Sequence, residues 1–341
     1  MLVFPFGIQG DAWNPAGIAA GNHKERGKKH MKRIRTLLSS DGKHQLHVQE
    51  WCPEEEKVRA VVQLTHGMVE YIDRYDDFAR FLSGQGFLVV GHDQLGHGHT
   101  AVNEAELGYI EEHDPCGCLV RDMHLLREDV QKAWPGVPYF MLGHSMGSYL
   151  LRRYLCEYGK GLAGAVIMGT GFVPPAVAEL AQTIARTIAL SRGWTYRSAL
   201  MQKLSIGSGA YRQYNLDGTV PENSWLTRDV EIVKKYYADP FCGYCFTLNG
   251  YRALFSAVAY DADPSRMKEI PADLPLLLVS GDRDPVGDMG KGVRTVYEMM
   301  RKAGLQVEMK LFEGDRHEIL NELDRSDVYA YLGAWFVKNL A

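Results

Sequence analysis

The sequence predicts an α/β protein: a doubly wound, mostly parallel sheet with a helical segment inserted late in the chain. Three observations predict it. Short apolar or β-branched runs, of the kind buried on both faces of a parallel sheet, alternate with stretches of helical spacing. Two strand-like runs at the start have no helix between them, which makes a hairpin and a mixed leading edge. After position 171 the alternation stops for roughly 90 residues, in which helical patterns continue without a buried strand.

The elements follow in that order. Residues 34–38, 44–51 and 58–65 read as strands, and in 75–83 the side chains of Tyr75, Phe78, Phe81 and Leu82 recur at helical spacing. Strands at 87–91, 139–142 and Gly164–Met168 alternate with helices at 119–133 and 149–158. Runs at 274–280 and 306–312 resume the buried-strand pattern after the insertion. Within the insertion Val177, Leu180, Ile184 and Ile188 fall on one helix face, among dense aromatics such as Trp194, Tyr211, Trp225, Tyr236 and Tyr237. Such a stripe is either the insert's own small core or the lining of an apolar lid. The expected organisation is a leader over 1–33, a core over 34–171 and 264–341, and a helical cap over 172–263. No internal repeat interrupts it.

With 341 residues, 46% hydrophobic and 23% charged, the chain can bury a sizeable core and is neither disordered nor fibrous. Its 38 basic and 42 acidic residues give a net charge of −4, which excludes a nucleic-acid protein held by bulk charge. Six cysteines in a chain too large to need disulfide staples read as reduced thiols, and so as a cytoplasmic protein. The pair Cys242 and Cys245 lacks a second CxxC or a histidine partner and does not follow a strand, so neither zinc nor redox chemistry is expected of it. Residues 162–178, the longest uncharged stretch, are broken by Gly164, Gly169, Gly171 and Pro174, so nothing there spans a membrane. The apolar opening residues lack the basic start and cleavage site of a secretory signal. The basic run from Lys24 to Arg35 suits contact with anionic lipid less well than an unpacked leader ahead of a natural start near Met31.

Gly143-His144-Ser145-Met146-Gly147 directly follows a strand and opens a helix. That is the context of a nucleophile elbow, where a serine hydroxyl stands clear of the sheet and flanking glycines avoid Cβ clashes with the adjoining strand and helix. A serine needs a base, and the base an orienting acid, which follow in the chain order Ser, Asp or Glu, His. His317 is the only histidine after Ser145, in the loop after the last strand. Asp284, in the loop after the preceding strand, is the expected acid, with Asp282 as a turn residue. The loop Gly169-Thr170-Gly171 offers no alternative. The oxyanion needs two donors: the Met146 amide, next to the nucleophile, and the Met68 amide in the loop His66-Gly67-Met68, where Gly67 lets the backbone turn inward. His92, His97 and His99 cluster around Asp93, but no metal site is expected there, and Asp93 and His97 are read as loop-shaping hydrogen bonders. No metal or other cofactor is expected.

On His66-Gly67-Met68-Val69-Glu70, Asp93-Gln94-Leu95-Gly96-His97-Gly98, the Ser145 pentapeptide, Gly281-Asp282-Arg283-Asp284 and Arg316-His317-Glu318, the chain resembles an α/β-hydrolase of the monoacylglycerol lipase and lysophospholipase branch, also called serine-aminopeptidase-like. The resemblance covers roughly residues 34–341, and Asn223-Ser224-Trp225-Leu226-Thr227-Arg228-Asp229 extends it into the cap. It implies a serine esterase acting through an acyl-enzyme on an ester with one apolar acyl chain, of monoacylglycerol or lysophospholipid type, under a helical lid that touches membrane surfaces weakly. One departure is Met68-Val69 in the oxyanion loop, where the well-known lipases have small residues. An amidase or aminopeptidase on the same triad would need an acid in the lid, with Glu179 and Glu222 as candidates. A silent binder of hydrophobic ligands would have no need of all three triad residues.

Overall fold

The computed structural model describes residues 31–53, 58–207 and 209–340. Its centre is a sheet of eight strands: β1 (Met31–Leu38), β2 (Gln45–Cys52), β3 (Ala60–Thr65), β4 (Phe87–His92), β5 (Tyr139–His144), β6 (Gly164–Met168), β7 (Leu276–Gly281) and β8 (Val307–Phe312). They lie in the order β1-β2-β4-β3-β5-β6-β7-β8. β1 pairs antiparallel with β2 and β2 with β4, and every later pairing is parallel, so the predicted hairpin does form a mixed edge. Residues 1–30 of the expected leader lie outside the described residues. β1 starts at Met31, so residues 31–33 belong to the sheet. From the basic run, Lys32 lies 2.6 Å from Asp73, and Arg35 lies 2.7 Å from both Glu50 and Asp129.

The helices are α1 (Asp76–Ser83), α2 (Pro115–Ala133), α3 (Met146–Tyr158), α4 (Pro175–Arg192), α5 (Ala199–Ile206), α6 (Val230–Ala238), α7 (Leu248–Asp261), α8 (Lys291–Lys302) and α9 (Arg325–Lys338). Alternate strand residues point to opposite faces. Val61, Tyr139, Met141, Ile167 and Leu278 pack with α2, α3 and α8, while Val62, Phe140, Leu142, Val166 and Leu277 pack with α1 and α9. Both faces are covered, which is why the central strands read as unbroken apolar runs. β8 differs: as the last strand of the sheet it alternates half-buried Val307 and Met309 with exposed Glu308 and Lys310, and is not buried on both faces as the run at 306–312 suggested.

α4 to α7 fall between β6 and β7. α4 packs on α7, and α7 packs on α3 and α2. Each of α5, α6 and α7 begins at a side chain that accepts its first free amides, from Ser198, Asp229 and Thr247 respectively. Among the described residues no helix is long and apolar enough to cross a membrane.

Candidate active site

Ser145 sits between β5 and α3 with φ 53° and ψ −120°, a strained conformation for a residue with a side chain. The two flanking glycines make the turn possible. A Cβ on Gly143 would come 2.3 Å from the Gly147 carbonyl oxygen and 3.0 Å from Leu151, and one on Gly147 would come 2.2 Å from the Thr65 carbonyl oxygen at the end of β3. Met146 is the first residue of α3, so its N–H has no acceptor within the helix and is free for a ligand.

His317 is buried beside this turn. Its Nδ1 lies 3.1 Å from both carboxylate oxygens of Asp284, which also accept from the Ser280 hydroxyl at 2.9 Å and the Val286 amide at 2.8 Å. Burial alone would raise the Asp284 carboxyl, but His317 and these donors hold it below the usual carboxylate range. Asp282 does something else: its Oδ1 accepts the Gly314 amide at 2.9 Å and ties the β7 loop to the β8 loop. The Trp225 indole stacks on His317, with ring centroids 5.0 Å apart, and the Glu318 amide donates to the Leu226 carbonyl at 2.7 Å. The segment is clamped by Arg316, which donates to the Ser224 carbonyl, and by Arg228, whose guanidinium sits among Asp315, Glu322 and Asp324 at 2.5 to 2.9 Å.

The loop after β3 abuts the serine, since a Cβ on Gly67 would lie 3.0 Å from that of Ser145. His66 is fully buried and its Nε2 accepts the Gln94 amide at 3.0 Å, which fixes the loop to the end of β4. Below it runs a buried ionic network that local sequence reasoning missed. Glu70 Oε1 accepts the Gly67 amide at 2.6 Å, the Tyr75 hydroxyl at 2.9 Å and His144 Nδ1 at 3.1 Å, and Arg74 bridges Glu70 and Glu318 at 2.8 and 2.6 Å. His144 Nε2 faces the His317 carbonyl at 3.3 Å, so both ring nitrogens meet acceptors and the imidazole pKa rises despite burial. The network therefore joins the Gly67 loop, the elbow and the His317 loop. Its available signal was the spacing of Glu70 and Arg74, which suits an i,i+4 ion pair.

Burial would raise both glutamates, yet the bonds from His144 and Arg74 to Glu70, and from Arg74 to Glu318, hold both below the ordinary range. Their stabilisation is therefore present above the unfolded value near 4.5 and lost as pH falls through the folded values. Arg74→Met inverts this. It strands buried carboxylates, lifts their folded pKa above the unfolded one, and should cost about 3–5 kcal/mol at pH 8. The deficit should shrink toward pH 5, as measured by urea unfolding at both values; a deficit that grows on acidification would disprove the pairing.

A cavity of about 460 Å³ opens over Ser145 and His317. Val177, Leu180, Ala181 and Ile184 from α4 line it together with Leu254, Phe255 and Val258 from α7, so most of the apolar stripe faces a cavity, while Ile188 packs against the hydrophobic core. Gly67, Met68, Met146 and His144 also line it, whereas Glu179 and Glu222 do not. Arg186, Arg192 and Arg197 are absent from the lining too; Arg197 donates to the Cys245 carbonyl. Asp93 shapes its loop as expected, accepting from the Ile72 and His99 amides at 2.8 Å each. Among the described residues, only Asp315, Glu322 and Asp324 bring three ligand atoms together, and Arg228 occupies that cluster. All six thiols are free.

A parallel sheet that presents a strained serine at the end of a central strand, beside a histidine from the loop after the edge strand, is the α/β-hydrolase arrangement. Within that class the chain belongs to the family described as serine aminopeptidase, S33, whose sequence profile matches residues 56–324. It is similar to the monoglyceride lipase of Homo sapiens, 27% identical over 308 residues, covering 89% of this chain and 90% of that one. The monoacylglycerol lipase of Mycolicibacterium smegmatis is 28% identical over 290 residues, covering 85% and 92%. Among solved structures, a thermostable carboxyl esterase from Bacillus coagulans in complex with glycerol superposes with a TM-score of 0.83 at 27% identity, covering 91% of this chain and 99% of that one. The chain is a monoglyceride-lipase-like α/β-hydrolase, as the resemblance implied.

Proposed function

We propose that this carboxylic ester hydrolase cleaves esters of a single apolar acyl chain with an uncharged alcohol, of the monoacylglycerol type, under a cap formed by residues 172–263. The observation that carries the reading is the cavity: its lining joins apolar side chains of α4 and α7 to Ser145 and His317 and, among the described residues, includes no lysine or arginine to hold a phosphate. That favours monoacylglycerols over lysophospholipids. Ser145 Oγ attacks the acyl carbon and gives its proton to His317 Nε2, while Asp284 holds the Nδ1–H tautomer. The Met68 and Met146 amides stabilise the oxyanion. His317 then protonates the departing alcohol, and a water deprotonated by His317 releases the fatty acid from the acyl-enzyme. An amine-recognising peptidase is not supported, because Glu70 and Glu318, the only carboxylates in the lining among the described residues, are committed to Arg74. Exposed Leu190 and Leu200 on the cap give it a surface suited to a lipid layer.

Fluorophosphonate labelling that depends on Ser145 separates this reading from a silent binder. Across p-nitrophenyl esters from acetate to palmitate, kcat/KM should rise by up to about fourfold per methylene until the cavity fills, from about 0.8 kcal/mol each. Monooleoylglycerol should be cleaved much faster than trioleoylglycerol or a lysophosphatidylcholine. Fastest cleavage of acetate, with steady decline thereafter, would remove the lipid reading.

A further inference from the structure

Val69 adopts φ 51°, in the left-handed region that a β-branched residue rarely enters. It lies in the loop that carries the Met68 amide. Such a conformation persists only where the surroundings over-determine it. On one side, the Gly67 amide is fixed by Glu70 at 2.6 Å. On the other, the Val69 carbonyl accepts two donors from the segment between β6 and β7: the Gly243 amide at 3.2 Å and the Tyr236 hydroxyl at 3.4 Å. A third tie runs beside them, from the Tyr71 hydroxyl to Asp239 at 2.8 Å. The Met68 amide therefore hangs between two anchored points, one in the core and one in the cap.

We propose that Tyr236 and Gly243 are positioning residues: through the Val69 carbonyl they hold the loop in its strained shape and so keep the Met68 amide aimed at the oxyanion. The inference deepens the esterase reading and rests on it. A seated cap and a formed oxyanion site become one state, because releasing the Val69 carbonyl frees the loop to relax out of the left-handed region.

The test uses the full chain and p-nitrophenyl butyrate. Tyr236→Phe keeps the ring, over which Arg74 sits at 4.8 Å, and removes only the hydroxyl. It should lower kcat about three- to tenfold with KM nearly unchanged, and weaken a trifluoromethyl ketone transition-state analogue in parallel. Glycine enters the left-handed region without steric cost. In a Val69→Gly background the same Tyr236→Phe change should therefore cost about twofold or less in kcat. An undiminished loss in that background overturns the proposal, as does a loss confined to KM, which would mean that the hydroxyl touches substrate. Hydrogen exchange supplies a measurement without variants: the Gly243 amide should be strongly protected, and exchange at open-loop rates overturns the latch. A parent protein that fails to hydrolyse the ester, or does so equally as Ser145→Ala, defeats the esterase reading instead, while the Gly243 measurement still decides the latch.

Discussion

Ser145→Ala and His317→Ala should each lower kcat by about 10⁴- to 10⁶-fold, and the double variant should be hardly slower than either alone. The reason is that the hydroxyl is a weak nucleophile without its base, and the base has nothing to activate without the hydroxyl. Both variants should fold. Alanine at 145 retains the Cβ that the turn already accommodates, and Asp284, deprived of His317, still accepts from Ser280 and Val286. Rates measured on purified protein with p-nitrophenyl butyrate, beside circular dichroism melts, give both readouts. Losses that multiply in the double variant would mean that the two side chains act independently, and the shared mechanism would have to be abandoned.

The elbow was legible because its constraint is local. A strand, a serine between glycines and a helix follow one another directly, and the clash a Cβ would make at Gly143 is with Gly147 of the same turn. The same holds for the core strands, whose unbroken apolar runs follow from burial on both faces. β8 reads as a buried strand on Val307, Met309, Leu311 and Phe312, but Glu308 and Lys310 alternate with them and face outward from a strand at the edge of the sheet. What was not legible joins distant parts of the chain. Arg74 meets Glu318 across 244 positions, and Trp225, between β6 and β7, meets His317 in the loop after β8. Val69 is the sharpest case: valine favours extended backbone, so its left-handed conformation opposes local preference and arises from contacts made elsewhere.

Asp284→Asn should reduce kcat by about 10⁴-fold, whereas Asp282→Asn should change it by less than about threefold. Both carboxylates stand in the same loop after β7, and the difference lies in what they accept. Asp284 receives His317 Nδ1 at 3.1 Å on each oxygen, and both oxygens are further occupied by donors from Ser280 and Val286. An asparagine there must present an N–H to one of them. If it faces the imidazole, Nδ1 becomes the acceptor and the proton moves to Nε2, so the ring can no longer take a proton from Ser145. Asp282 accepts the Gly314 amide and has the exposed Arg283 guanidinium 3.6 Å away, and an asparagine oxygen can accept the same amide. Because the Asp284 carboxyl is held below 3.8, it remains ionised as pH falls toward that value, and the contrast between the variants should persist across the whole range from pH 5 to pH 8. The measurement is kcat for both variants at several pH values in that range. Equal losses at 282 and 284 would move the orienting role away from Asp284 and leave its bond to His317 as packing.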